Sequence, residues 1–146
     1  MKHFTTILIL TALLLSGCSK NVPLGGRITF EDNGEPLTTG TIGFVSGNHQ
    51  ARSDIDTEGR YNLGFQKAGD GLPKGEYKIY IQSVRVERTL GPDRDGDGVE
   101  DIIGYKEIPL IADKYKNPET SGLVYTADGT GKMFDIQVER AGTGKR

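Results

Sequence analysis

Residues 72–84 of this chain read LPKGEYKIYIQSV and hold its longest unbroken run of strand-forming residues. Pro73 and Gly75 predict a turn at the start of the run. From position 77 onward, apolar and polar residues alternate. The alternation places Tyr77, Ile79 and Ile81 on one face of a strand, and Lys78, Tyr80 and Gln82 on the other. The stretch therefore predicts a β-strand with one face in a hydrophobic core.

Similar short runs, separated by glycine-rich and asparagine-rich turns, extend in both directions from this strand. We expect strands at 28–30, 41–45, 51–55, 61–65, 77–82, 121–126 and 132–138. The Asn33-Gly34 pair is a strong turn signal and predicts that the first two strands are neighbours. Residues 128–131 predict a turn that makes the last two strands a terminal hairpin. Seven short strands with regular turns indicate an all-β sandwich.

Composition agrees with one β-rich domain. The chain has 146 residues, of which 35% are hydrophobic, with 21 glycines and 6 prolines. That length suits one compact domain, and the glycine content suits many tight turns. With 18 Lys and Arg against 20 Asp and Glu, the formal charge is -2. Since no basic field is available for a phosphate backbone, we expect no nucleic-acid partner.

The amino terminus has the pattern of an export signal. Lys2 precedes an apolar run from Phe4 to Leu15, which is too short to span a bilayer permanently. The run ends in Leu15-Ser16-Gly17-Cys18, which resembles the lipoprotein box of bacteria. The resemblance implies that residues 1–17 are a cleaved signal peptide and that Cys18 carries lipid. Residues 18–24 are then a short tether to a membrane of the bacterial cell envelope, with the outer membrane or cell surface favoured over the inner membrane.

Lipidation of Cys18 would leave little for catalysis. Cys18 is the only cysteine, and His49 would be the only histidine left after signal removal. Neither a Ser-His-Asp triad nor a zinc site of the usual type is expected from such a set. We therefore predict a protein that is not an enzyme.

Five segments together resemble the carboxypeptidase regulatory-like modules of the transthyretin-like superfamily. They are GRITF (26–30), GEPL (34–37), GTIGF (40–44), DTEGRY (56–61) and LPKGEYKI (72–79). The resemblance covers most of residues 25–140 and implies a seven-stranded, two-sheet Greek-key sandwich. It leaves residues 141–146 as a polar tail. It implies no activity, because that fold serves folding, adhesion, carriage and hydrolysis alike.

An acidic segment lies inside an insertion at about residues 85–107. Asp93, Asp95, Asp97 and Asp101 alternate around a glycine at the sixth position, Gly98. This spacing lets carboxylates converge on a cation, with the carbonyl of Val99 as a further ligand. The segment resembles the calcium loops of EF-hand-like and thrombospondin type 3 repeats. It departs from them at the twelfth position, where Gly104 replaces a bidentate glutamate and Asp101, Glu100 or Glu107 would have to serve instead.

Three functions remain open from the sequence. The first is a lipid-anchored structural or protein-interaction module, braced by calcium, with a cell-envelope protein as its partner. The second is a ligand-binding accessory lipoprotein, in which exposed tyrosines such as Tyr80, Tyr105 and Tyr115 stack on polysaccharide or hold a small molecule. The third is an enzyme that uses carboxylates, for which Asp54, Asp56 and Glu58 are candidates. We favour a turn for those three residues, since this spacing is typical of one.

Overall fold

The computed structural model describes residues 21–64 and 70–142, and these ranges are almost entirely strands and turns. Nine strands lie in the described ranges, with one short 3₁₀ helix at Asp113–Lys116. The strands are β1 (Gly25–Phe30), β2 (Thr41–Ser46), β3 (His49–Asp54), β4 (Arg60–Asn62), β5 (Gly75–Gln82), β6 (Val84–Leu90), β7 (Ile102–Pro109), β8 (Val124–Ala127) and β9 (Ile136–Val138). The protein is all-β, as the sequence predicts.

The strands form three sheets. One has the order β4-β1-β9 and another has the order β3-β2-β5-β8, while β6 and β7 pair with each other in a separate two-stranded ribbon. The β1–β9 pair is parallel and the other strand pairs are antiparallel. The hydrophobic core draws its residues from the three-stranded and four-stranded sheets together.

Strand β5 lies in the interior of the four-stranded sheet, paired with β2 on one side and β8 on the other. Its predicted alternation is confirmed, because Tyr77, Ile79 and Ile81 are buried while Lys78 and Gln82 are exposed. Aromatic rings pack together in the core, and the pair formed by Phe44 and Tyr61 links the two sheets. The ring of Phe44 on β2 lies 6.2 Å from that of Tyr61 on β4 and 6.0 Å from that of Tyr125 on β8.

The prediction that the first two strands are neighbours is wrong. The turn at Asn33-Gly34 forms, and Gly34 adopts a φ of 72°. However, it returns the chain along β1 only as far as Leu37, whose amide donates to the carbonyl of Ile28 at 3.0 Å. The chain then crosses to the other sheet, where β2 pairs with β3 and β5.

The predicted terminal hairpin is also wrong. Strand β8 pairs with β5, whereas β9 pairs in parallel with β1, so these consecutive strands belong to different sheets. The crossing is held by the amide of Phe134, which donates to the carbonyl of Gly25 at 2.8 Å. A Cβ added to Gly26 would overlap the backbone of Phe134. Glycine at position 26 is therefore what allows the chain to approach β1 so closely.

The predicted acidic loop insertion at 85–107 is mostly strand. Residues 84–90 and 102–109 form the two strands of the ribbon, so only residues 91–101 are loop. Backbone pairing accounts for the difference, since it runs from Val84 opposite Pro109 to Leu90 opposite Ile102.

Several predictions fall outside the described residues. These are the signal peptide (1–17), the lipidated Cys18, the first part of the tether, Phe65 of the fourth predicted strand, and most of the polar tail. Within the described ranges, no helix has the length and apolar character needed to cross a membrane.

Candidate functional site

The acidic tip, defined here as residues 91–101, closes the outer end of the ribbon. The amide of Gly91 donates to the carbonyl of Asp101 at 2.8 Å, which brings the two ends of the tip together. Gly96 and Gly98 have φ values of 78° and 86°. Backbone of this kind favours glycine, and it lets the chain turn sharply twice within three residues.

Asp93 is the first acidic residue of the tip and lies at the centre of its hydrogen bonding. One carboxylate oxygen accepts the amide of Gly96 at 2.6 Å and the other accepts that of Gly98 at 2.8 Å. The two amide donors, Gly98 first and Gly96 second, lower the pKa of Asp93 below its usual value. The carboxylate is therefore charged at neutral pH and fixed in orientation.

The remaining aspartates each hold a nearby amide. Asp95 accepts the amide of Asp97 at 3.2 Å, and Asp97 accepts that of Val99 at 2.8 Å. One carboxylate oxygen from each of Asp93, Asp95 and Asp97 lies within 4.8 Å of the others. Asp101 accepts the amide of Arg94 at 3.1 Å, which turns its carboxylate back toward the start of the tip. The structure thus brings together the first three predicted ligands.

The oxygen ligands of the acidic tip are of the type that a hard cation prefers, but they are too few to fill its coordination shell. Calcium takes six to eight oxygen ligands, and four aspartates with the carbonyl of Val99 supply fewer. Glu107 is unable to complete such a shell, because it lies five residues along β7 from Ile102, about 16 Å at the usual strand rise. Gly104 offers no side chain. Asp101 and Glu100 are the carboxylates that remain near the tip.

The three candidate stacking tyrosines have different environments. Tyr115 is buried, and its hydroxyl oxygen accepts the amide of Glu139 at 3.2 Å. Tyr80 lies over Gly43 on the neighbouring strand and accepts a hydrogen bond from the side-chain amide of Gln50 at 2.8 Å. Tyr105 is exposed on the ribbon. Because Tyr115 is buried, its ring is unable to stack on a sugar.

Of the carboxylates at 54, 56 and 58, the last two lie in a turn, as favoured from the sequence, whereas Asp54 is the last residue of β3. Asp56 accepts the amides of Arg60 at 2.8 Å and Glu58 at 2.9 Å, and these two donors, Arg60 above all, lower the pKa of Asp56. Glu58 pairs with the guanidinium of Arg60. The carboxylate of Asp56 therefore holds the backbone between β3 and β4.

One site was missed by sequence reasoning. A groove of about 750 Å³ lies beside β4, with Leu24, Tyr61 and Met133 among its apolar lining residues. Asp54, Arg60 and Lys132 add charge to its lining. The Tyr61 hydroxyl donates to the carbonyl of Phe134 at 2.5 Å, and burial raises its pKa, so it stays protonated. The lining comes from three distant segments, and no local motif marks it.

The ribbon also concentrates exposed apolar side chains. Of the eight large hydrophobic residues exposed in the described ranges, six belong to the ribbon and its tip. They are Val86, Leu90, Val99, Ile102, Ile103 and Tyr105. Clusters of exposed apolar residues are typical of interaction surfaces.

No protein-family model, no curated protein and no solved structure matches this chain.

Proposed function

We propose that this chain is a lipid-anchored protein of the bacterial cell envelope that serves as a structural or protein-interaction module and has no enzymatic activity. The observation that carries the interaction role is the ribbon, which presents apolar side chains to solvent away from the sandwich core. The proposed fold is the transthyretin-like Greek-key sandwich. In its support, the chain changes sheet between β1 and β2, β3 and β4, β4 and β5, and β8 and β9.

The anchor in this proposal is Cys18. The apolar run that precedes it and the small residues at 16 and 17 support lipidation. Each buried methylene of an acyl chain contributes about 0.8 kcal/mol, so two or three chains hold a protein stably at a membrane. The tether that follows Cys18 is short, so the sandwich would lie close to the lipid surface.

The test of the anchor is Cys18→Ala in the full chain, followed by membrane fractionation and metabolic labelling with a fatty acid. We expect the wild-type chain to carry label and stay with the membrane. The variant should lose the label and either leave the membrane or accumulate as unprocessed precursor. Ser19→Ala is the matched control and should behave as wild type. Normal processing and membrane retention of Cys18→Ala would contradict the proposal.

The acidic tip is the proposed calcium site. Asp93, Asp95, Asp97 and Asp101 would hold the ion with their carboxylates and Val99 with its carbonyl, and water would fill the remaining positions. Bound calcium would neutralise the repulsion among these aspartates and brace the ribbon. Such incomplete protein ligation belongs with the weak extracellular class of calcium site.

The groove beside β4 favours a second candidate, the ligand-binding accessory lipoprotein. Its apolar lining with charged groups nearby suits a small amphipathic molecule. The test is titration of the full chain with an environment-sensitive apolar dye. Met133→Glu should remove the part of the dye binding that belongs to the groove and leave any binding to the ribbon, whereas Val124→Glu, which changes another exposed apolar residue, should leave the total unchanged. Equal effects of the two changes would reject the groove as a site.

A further inference from the structure

The two faces of the ribbon differ in chemistry. Residues directly opposite each other in an antiparallel pair share a face. Val84 lies opposite Pro109, Val86 opposite Glu107, and Arg88 opposite Tyr105, and alternation along β7 adds Ile103. We call this the apolar face, and its residues are Val84, Val86, Arg88, Ile103, Tyr105, Glu107 and Pro109. The other face carries Arg85, Glu87, Thr89, Lys106 and Ile108, with Ile102 at its outer end, and we call it the charged face. The register shifts between Thr89 and Leu90, so Leu90 lies opposite Ile102 and is assigned to neither face.

The apolar face is open to solvent. Val86 is 55% exposed, Ile103 is 54% exposed and Tyr105 is 68% exposed. The ribbon is a sheet of its own, and it leaves the sandwich at a base where the amide of Leu110 donates to the carbonyl of Ser83 at 3.1 Å. An isolated two-stranded ribbon is marginally stable in water and gains from packing its apolar side against another surface.

We propose that the apolar face packs against the apolar face of a second copy of this chain. The inference deepens the proposed interaction role, on which it rests, by naming the partner. A twofold interface requires a surface that is complementary to itself. The apolar face meets that requirement, because its two charged residues are one cation, Arg88, and one anion, Glu107.

Strand geometry places these charges in register. Successive rows on one face are about 7 Å apart along the strand, and opposite residues are about 5 Å apart. A twofold axis that crosses the strands between the Val86–Glu107 row and the Arg88–Tyr105 row exchanges the two rows. Arg88 of one copy then lies over Val86 of the other, one strand away from Glu107 of that copy. Both side chains are long enough to meet across this separation.

The size of the face sets the strength of the contact. A ribbon of seven to eight residues per strand is about 25 Å long and about 10 Å wide. The area of its face is therefore well below the roughly 800 Å² that each partner buries in a standard interface. The dimer is therefore weak and reversible. Anchoring both copies to one membrane raises their effective concentration and favours pairing.

The charge of the acidic tip argues against lipid as the occupant. Asp93, Asp95, Asp97, Glu100 and Asp101 outnumber Arg94 in the tip. An anionic membrane surface repels such a segment.

The experiment uses two differently tagged full-length chains that are co-expressed and solubilised from cells in a mild detergent. Recovery of the second tag on a resin for the first measures pairing. We expect Arg88→Glu alone and Glu107→Arg alone each to lower recovery about tenfold, because each places like charges together. Co-expression of one chain of each variant should restore it, since every contact between copies is then between opposite charges while each chain alone keeps its like charges. Arg85→Glu on the charged face is the matched control and should pair as wild type.

Hydrogen exchange of the β6 and β7 amides, measured in each variant at a dilution at which the wild-type chain is monomeric, should match that of wild type and so separate loss of pairing from loss of the ribbon. In Cys18→Ala, pairing should need a higher protein concentration, because the two copies no longer share a membrane, and it should still respond to the charge reversals, so failure of the anchor and failure of the dimer are distinct results. Wild-type chains that do not co-isolate would overturn the proposal, as would mixed variants that fail to regain pairing. Protection of the ribbon by phosphatidylcholine vesicles in a chain that stays monomeric would assign the face to lipid instead.

Discussion

Strands β5 and β6 follow one another with only Ser83 between them, yet they have opposite environments. In β5, Tyr77, Ile79 and Ile81 alternate with polar residues and are buried. In β6, Val84 and Val86 also alternate with charged residues, but Val86 is exposed. Ser83 marks the change, since its buried hydroxyl donates to the carbonyl of Thr39 at 2.6 Å. Alternation therefore predicts a strand, and only a facing sheet decides whether the apolar side is covered.

The contrast between β5 and β6 predicts that the same substitution has very different effects on stability in the two strands. Ile79→Asn removes a fully buried apolar side chain and leaves an amide without a partner. We expect it to cost about 4 kcal/mol or more, which is most of the stability of a domain at the lower end of the usual range of about 5 to 15 kcal/mol. Val86→Asn in the ribbon should cost less than about 1 kcal/mol, because that position is already hydrated.

The measurement is chemical denaturation of the full chain followed by circular dichroism. Gln82→Asn, at an exposed position of β5, is the control that separates burial from strand propensity. If Val86→Asn destabilised the sandwich as much as Ile79→Asn, the ribbon would belong to the core and the contrast would fail.

Alanine substitutions at two glycines, one in the sandwich and one in the ribbon, should show the same contrast with smaller changes in stability. A Cβ on Gly43 would overlap the ring of Tyr80, which packs across the sheet at this position. Gly43→Ala should therefore displace Tyr80 from its bond with Gln50 and cost about 1 to 2 kcal/mol. In the ribbon, a Cβ on Gly104 would meet only Thr89, at 3.9 Å.

Gly104→Ala should be neutral or stabilise the ribbon by a few tenths of a kcal/mol, since alanine restricts the unfolded chain more than glycine does. Thermal melts of both variants against wild type measure the difference. Tyr80→Phe is the control, because it removes the hydroxyl of Tyr80 and leaves the ring in place. If displacement of the ring causes the loss of stability in Gly43→Ala, Tyr80→Phe should be much less destabilised than Gly43→Ala. Equal melting temperatures for Gly43→Ala and Gly104→Ala would contradict the packing described for Tyr80.

The strands of the sandwich were predictable from the sequence because a strand with one buried face has alternating apolar and polar residues. Tyr77 to Gln82 show that period most clearly. Pairing was not predictable, since the crossings after Leu37 and before Phe134 depend on backbone contacts between distant segments. Asn33-Gly34 marks a turn correctly and says nothing about which strand lies beyond it.

The candidate site was predictable in part. Regular spacing of Asp93, Asp95 and Asp97 around Gly98 predicts a folded acidic turn, and their carboxylate oxygens do converge. The strands on either side were missed, although Val84 and Val86 alternate with charges, because the many charged residues of the segment suggested a loop. Tyr105 was noted as exposed from the sequence, but its place opposite Arg88 required the register of the ribbon.

Calcium offers the most local test, because it should bind at the acidic tip and order the ribbon while the sandwich keeps its structure. A ligand that binds only the folded form stabilises it by RT ln(1 + [L]/Kd), which is about 1.4 kcal/mol at ten times Kd. We expect millimolar calcium to raise the melting temperature of the full chain by a few degrees, and magnesium to do less, because it retains its waters. Asp95→Asn combined with Asp97→Asn should abolish the shift, and Glu31→Gln combined with Glu76→Gln, with the same change in charge, should preserve it. Hydrogen exchange should report the largest gain in protection within 84–109. A melting temperature indifferent to calcium in the wild-type chain, with no heat of binding, would leave the acidic tip as a solvated turn held by its own amides.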